Sequence, residues 1–356
     1  MAVDLAKIDK NMGAANVIED KSGYDFYDID EAPFRIYGVE KKNGKYRRLD
    51  ENLAKRVSRG VDILHTNTAG GRIRFVTNSK SLAFLIKCDG GLPSENGAYL
   101  NRVALDVYAD GRFFGVTRGG NSYPNTYYEA IVKSQGIAEG DKTFTVYMPN
   151  YGEIHQVYVG IEKGATLSAA PDYTYEKPII YYGSSITQGG CASRPGNAYP
   201  SMLERMLDSN YINLGFSGNA KGEPEMAEYI ASMEMSVFVY DYDHNTPSRE
   251  HLLATHEPFY KIVREKNPDT PIVMISMPKY DLTEYDLDRY KIIKRTYERA
   301  VEAGDKNVYL IFGKELLSGI ESDGLCDGCH PNDLGFRYMA EGIYKTLKPI
   351  FDKIDK

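Results

Sequence analysis

The chain has 356 residues, a formal net charge of −7 and no run of eighteen apolar residues, so a membrane-spanning helix is excluded and two domains with proper cores are expected. No basic block interrupts that acidic balance, which removes the electrostatic footprint of a nucleic-acid binder. Hydrophobic residues at 42% and charged residues at 26% are those of a globular protein.

The N-terminal segment from Met1 to Lys10 lacks a basic start followed by an apolar stretch, so no secretory signal is expected and the localisation inferred is cytoplasmic. From about Asp25 to Leu167 the pattern is that of strands. Ile73 and Phe75 alternate with Arg72 and Arg74, Leu82, Phe84, Ile86 and Cys88 alternate again, and so do Val103, Leu105 and Val107. Asp110-Gly111 supplies hairpin chemistry between two such runs. Further strands are predicted at Phe144–Met148 and Val157–Ile161, with a single helix at Glu51–Ser58. Short alternating strands at this spacing predict an antiparallel sandwich, jelly-roll-like, over residues 1–172. The loop Gly119–Tyr128, rich in turn formers and rings, is a candidate to border a ligand through Tyr123. The 29 tyrosines, with no tryptophan, suit packing in most cases and sugar stacking in a few.

Two prolines, Pro171 and Pro178, bracket a stretch with little periodicity, and beyond it the period changes. Strands at Ile179–Tyr182, Tyr211–Leu214, Val237–Tyr240, Ile272–Ser276 and Val308–Phe312 alternate with helices near 198–207, 224–232, 249–266, 284–303 and 334–354. Such alternation predicts βαβ units and a three-layer α/β domain over residues 173–356, its ligand at the C-terminal ends of the strands.

That rule directs attention to four strand-end or loop segments. Gly183-Ser184-Ser185-Ile186 ends the first strand and presents Ser185, which can act as a nucleophile only with a base and oxyanion donors nearby. Asp327-Gly-Cys-His330 puts a carboxylate three residues before an imidazole, a spacing that lets Asp327 orient His330 as base. His244 is the rival base, Asp323 the rival orienter, and Asp241 or Asp243 could pair with His244. Gly218 and Asn245, after the second and third strands, offer a backbone and a side-chain donor that would join the Ser185 amide in an oxyanion hole. Taken singly, a turn glycine and a helix-capping asparagine remain the plainer accounts of those two. Cys326-x-x-Cys329 lacks a second pair, which argues against structural zinc, and Cys88 and Cys191 stand alone, so reduced thiols are expected.

In this order the four blocks resemble the SGNH, or GDSL-like, hydrolases from Lys177 onward. The chain departs from their pattern at Ser184, where an aspartate is usual, and at Asp243-His-Asn-Thr246. The resemblance implies a flavodoxin-like hydrolase domain behind a β-sandwich and a serine esterase with no metal or organic cofactor. It implies hydrolysis of O-acyl esters, foremost O-acetyl groups on carbohydrates. Ser184, His244 and Tyr123 would then border the substrate. A lipase or thioesterase for longer chains, or an inactive sugar-binding protein, are the alternatives. The sandwich could contact either substrate or a second copy of the chain in a homo-oligomer.

Overall fold

The computed structural model describes residues 17–91, 94–118, 127–133 and 139–354. Its first half is built around two large antiparallel sheets, with a two-stranded one, Glu40–Lys42 on Lys45–Arg47, beside them. Four strands lie in the order Tyr24–Asp28, Glu153–Glu162, Ser81–Asp89, Tyr128–Lys133, and five in the order Arg35–Tyr37, Arg72–Thr77, Lys142–Tyr147, Asp106–Ala109, Arg112–Val116. Their inner faces bury one continuous cluster, including Phe75, Phe84, Ile86, Val107, Phe144 and Val159. The Asp110-Gly111 hairpin forms as expected, with both residues at positive φ, 47° and 73°, closing Ala109 against Arg112.

Two local expectations fail in this half. Val103 does not begin a strand but ends a short helix, Tyr99–Val103, and the strand starts only at Asp106. Period-two alternation over 103–107 is too short to separate the two states. The helix at Glu51–Val57 is not the sole interruption either. Ser58 ends it in extended conformation and caps a second helix, Arg59–Leu64, through a bond from the Val61 backbone N–H.

The second half is a parallel sheet of five strands, Tyr175–Gly183, Ser209–Gly215, Val237–Asp241, Ile272–Ile275 and Val308–Ile311, in spatial order second, first, third, fourth, fifth. All four pairings are parallel. This is the flavodoxin-like order, and it puts the switch point beside the first strand. Helices cover both faces, so the strands read as continuous apolar runs rather than alternating ones. Tyr181, Tyr182, Tyr199, Tyr211, Tyr240 and Tyr242 are fully buried, which assigns many tyrosines to packing. Tyr182, for example, stacks on Phe259 at 4.9 Å between centroids.

The halves are joined by more than the chain. Leu49, Leu53, Ala54 and Val61 of the first half pack into the same core as Phe216, Ala220 and Met226 of the second. Arg48, fully enclosed, donates to the carbonyls of Asn213 (3.1 Å) and Gly215 (2.6 Å) in the second half and of Leu64 (2.6 Å) in the first. Arg72 likewise bonds the Tyr211 carbonyl and the Asn210 side chain across the junction. A buried guanidinium without such acceptors would be costly, so these contacts fix one arrangement of the two halves. Among the described residues no helix is long and apolar enough to cross a membrane.

Candidate active site

The first strand of the parallel sheet ends at Gly183, and a single helical turn, Ser185–Gln188, follows at once. The turn is tight because its surroundings exclude side chains. A Cβ on Gly183 would run into Asp241 and Thr187, and one on Gly215 into the backbone of Gln188. Ser184, expected beside the substrate, is instead fully buried, and its hydroxyl accepts from the Ile186 N–H at 3.2 Å as the cap of this turn. Pocket lining is thus ruled out for it by burial. Ser185 is 8% exposed.

Ser185 Oγ lies 2.9 Å from His330 Nε2, and His330 Nδ1 lies 2.8 Å from Asp327 Oδ2. The loop carrying the latter pair is rigid for local reasons. Cys326 N–H donates to the His330 carbonyl at 2.8 Å, Gly328 takes φ 77° between the two, and Asn332 caps the last helix, Asp333–Phe351. Asp327 Oδ1 also accepts the backbone N–H groups of His330 (2.7 Å) and Cys329 (3.0 Å), while Asn96 of the sandwich donates to Oδ2 at 2.6 Å. Burial alone would raise this carboxyl. The bonds from the His330 backbone and side chain, with Asn96 and Cys329, outweigh it and hold Asp327 well below the ordinary carboxylate range. The carboxylate is therefore ionised across neutral pH and fixes a proton on Nδ1, leaving Nε2 to accept from serine.

The carboxylate that His330 bonds is that of Asp327, not of the rival Asp323, whose backbone carbonyl accepts from the Asn332 side chain at 2.7 Å. His244 is close to the relay but not in it. Its Nδ1 lies 3.8 Å from Cys329 Sγ, its Nε2 is buried, and burial together with nearby Arg289 and His330 pushes it down to about 3, so it is neutral at working pH. Asp243 accepts instead from the Met277 N–H at 3.1 Å, and Asp241 from the Thr187 hydroxyl, so neither is set up as a partner of His244.

Gly218 and Asn245 stand after the second and third strands, flanking the first at the same sheet edge. Gly218 has φ 67° with open space where a Cβ would be, so conformation rather than crowding calls for glycine. Asn245 donates one amide hydrogen to the Phe216 carbonyl at 2.9 Å, which ties the two loops together and leaves its other hydrogen available. Tyr123 lies outside the described residues.

A recess of about 170 Å³ opens on His330, and its walls come from both halves: Asn96, Asn101, Arg102 and Tyr151 from the sandwich, Gly190 and Ser217 from the α/β half. Sequence reasoning missed the sandwich residues, which lie far from Ser185 along the chain and carry no motif. Asn101 donates to the Gly189 carbonyl at 2.9 Å and accepts from Asn150 at 2.9 Å, clamping the turn behind the serine. Gln188 binds the next loop, accepting from the Ser217 N–H at 3.0 Å and donating to Asn67 and the Asn150 carbonyl. A larger depression of about 560 Å³, around Lys80, Glu162 and Lys163, contains no member of the relay, so volume alone would misplace the site.

Fold and site together define a carboxylic ester hydrolase of the α/β type. The chain belongs to the GDSL-like lipase/acylhydrolase family, whose model matches residues 176–348; the model for the N-terminus of SGNH-hydrolase-type esterases matches residues 24–167. A Bacteroides ovatus ATCC 8483 protein described as a GDSL-like lipase is 30% identical, with a TM-score of 0.82 over 92% of this chain and 98% of its own. The salicylyl-acyltransferase SsfX3 from a tetracycline biosynthetic pathway, 21% identical, has a TM-score of 0.75 over 92% and 98% of the two chains. A family two carbohydrate esterase from Clostridium thermocellum, solved in complex with cellohexaose, is 16% identical with a TM-score of 0.64 over 90% and 100%. At such identities the last two share the fold. No curated protein matches the chain.

Proposed function

We propose that the chain is a serine esterase that removes O-acetyl groups from carbohydrates or oligosaccharides, with residues 1–172 and 173–356 as its two domains. The observation that carries this is the unbroken series of hydrogen bonds from Asp327 through His330 to Ser185 at the mouth of a recess. Ser185 attacks the ester carbonyl while His330 Nε2 takes its proton, and Asp327 stabilises the imidazolium. The oxyanion is met by the backbone N–H groups of Ser185 and Gly218 and by the free amide hydrogen of Asn245. His330 returns the proton to the departing alcohol, and water then repeats the cycle on the acyl-serine.

At about 170 Å³ the recess has room for a short acyl group and too little for a long alkyl chain. The family two esterase solved with cellohexaose is a fold neighbour in which a glucan meets such a scaffold. The test compares wild type and Ser185→Ala on 4-nitrophenyl esters of two and eight acyl carbons. Expected is a loss of about a thousandfold or more in the variant, and in wild type a preference for the acetate. Equal rates in the two proteins contradict the mechanism, and faster octanoate hydrolysis favours a lipase or thioesterase.

A further inference from the structure

Three of the four cysteines lie around the relay, and no step of ester hydrolysis uses a thiol. Cys191 follows the serine turn with φ 65°, while Cys326 and Cys329 flank Asp327 in the opposing loop. One ligand atom from each of Cys191, Asp327 and His330 lies within 4.8 Å of the other two. Cys326 lies near enough to Cys191 to act on its thiol, whereas Cys329 Sγ lies 3.8 Å from His244 Nδ1.

Thiol, imidazole and carboxylate, with a second thiol alongside, form the donor set of a tetrahedral zinc-like centre. Donor atoms in such a centre stand about 3.5 Å apart, a spacing that side-chain movements of about an ångström bring within reach of these three groups. Cys191 and His330 are half-buried and Asp327 is exposed, which leaves them room for that movement.

We propose that Cys191, His330 and Asp327, with Cys326 as fourth donor, bind a thiophilic divalent cation of the Zn²⁺ class, and that binding switches the esterase off. The cation needs an imidazole nitrogen, and both are committed to the relay, Nε2 to Ser185 and Nδ1 to Asp327. Taking either one separates the base from the nucleophile or from its orienting carboxylate. Each thiol that ligates the metal releases its proton to solvent. The switching rests on the esterase function proposed above; the binding does not.

Co²⁺ titrated into the full chain reads binding directly, through the near-ultraviolet band of a thiolate–cobalt bond. Expected is a band in wild type and in Ser185→Ala, displaced by Zn²⁺, lost in Cys191→Ser and weakened in Cys326→Ser. Zn²⁺ should inhibit wild-type ester hydrolysis reversibly, with a chelator restoring it. About tenfold more Zn²⁺ should be needed for Cys326→Ser, each protein being compared with its own metal-free rate. A wild type without the band, or a band unchanged in both cysteine variants, overturns the site. Inhibition undiminished in both variants overturns the switching. A band retained in Ser185→Ala separates the metal site from the fate of the serine assignment.

Discussion

Asp327 receives four hydrogen bonds, two from the backbone of its own loop, one from His330 and one from Asn96. Its place in the account is to keep one tautomer of His330, so removing the charge while keeping the shape should damage the reaction more than the fold. Asp327→Asn should lower kcat on the order of 10³–10⁴-fold with little change in KM, read from initial rates on an acetate ester. A loss below about tenfold would assign the carboxylate a merely structural part. That Ser185, His330 and Asp327 come together was legible in the sequence because each sits in a short segment with a local signal: a strand ending in glycine, or a carboxylate three residues before a histidine. Ser184 misled for the same local reason. Its hydroxyl beside the candidate nucleophile suggested a substrate contact, and only the packing reveals that it caps the turn it starts. Asn96 was not legible, since nothing near it in sequence points to a carboxylate 231 residues away.

The elements that position these residues are the serine turn and the loop after the second strand. Gln188 joins them, since its side chain accepts from Ser217, donates to two sandwich groups, and is itself fully buried. Truncating it leaves the Ser217 N–H and the Asn150 carbonyl short of partners. Gln188→Ala should therefore cost about 1–3 kcal/mol of stability. It should also lower kcat by about tenfold or more as the Gly218 amide loses its fixed direction. Denaturant unfolding and initial rates measure the two effects, and a variant that is destabilised yet fully active would detach this loop from oxyanion binding. The alternation of strand and helix in this half was read correctly from apolar runs and their punctuation. The Arg59–Leu64 helix and the Tyr99–Val103 helix were not, because six and five residues carry too little periodicity to distinguish helix from strand or loop.

At the scale of the whole molecule, buried ionisable groups couple folding to pH. Asp241 lies under the serine turn, and burial pushes its carboxyl up to about 8 despite bonds from Thr187 and the Ser184 backbone, with Asp243 nearby adding to the rise. Because the folded value lies above the unfolded one, the unfolded chain gives up this proton first. Between about pH 4 and 8 the group lowers stability as pH rises. From pH 6.5 to 8 the half-buried His244 and the buried His256, both pushed down to about 3 chiefly by desolvation, stay neutral in the fold and add little slope. In that interval wild type should lose on the order of 1 kcal/mol per pH unit relative to Asp241→Asn, seen by denaturant unfolding at two pH values. Parallel profiles would contradict it. The junction of the two halves, with Arg48 and Arg72 buried on carbonyls of the partner half, was invisible in the sequence because its contacts join residues more than 130 positions apart. It is nonetheless what brings sandwich side chains to the recess. The account's central claim is that this assembled edge makes Ser185 a nucleophile, and labelling with a serine-reactive fluorophosphonate tests it most directly. One adduct per chain, mapped by peptide mass spectrometry to Ser185 and abolished in His330→Ala, is the predicted result; an intact protein that takes up no label, or takes it up elsewhere, would contradict it.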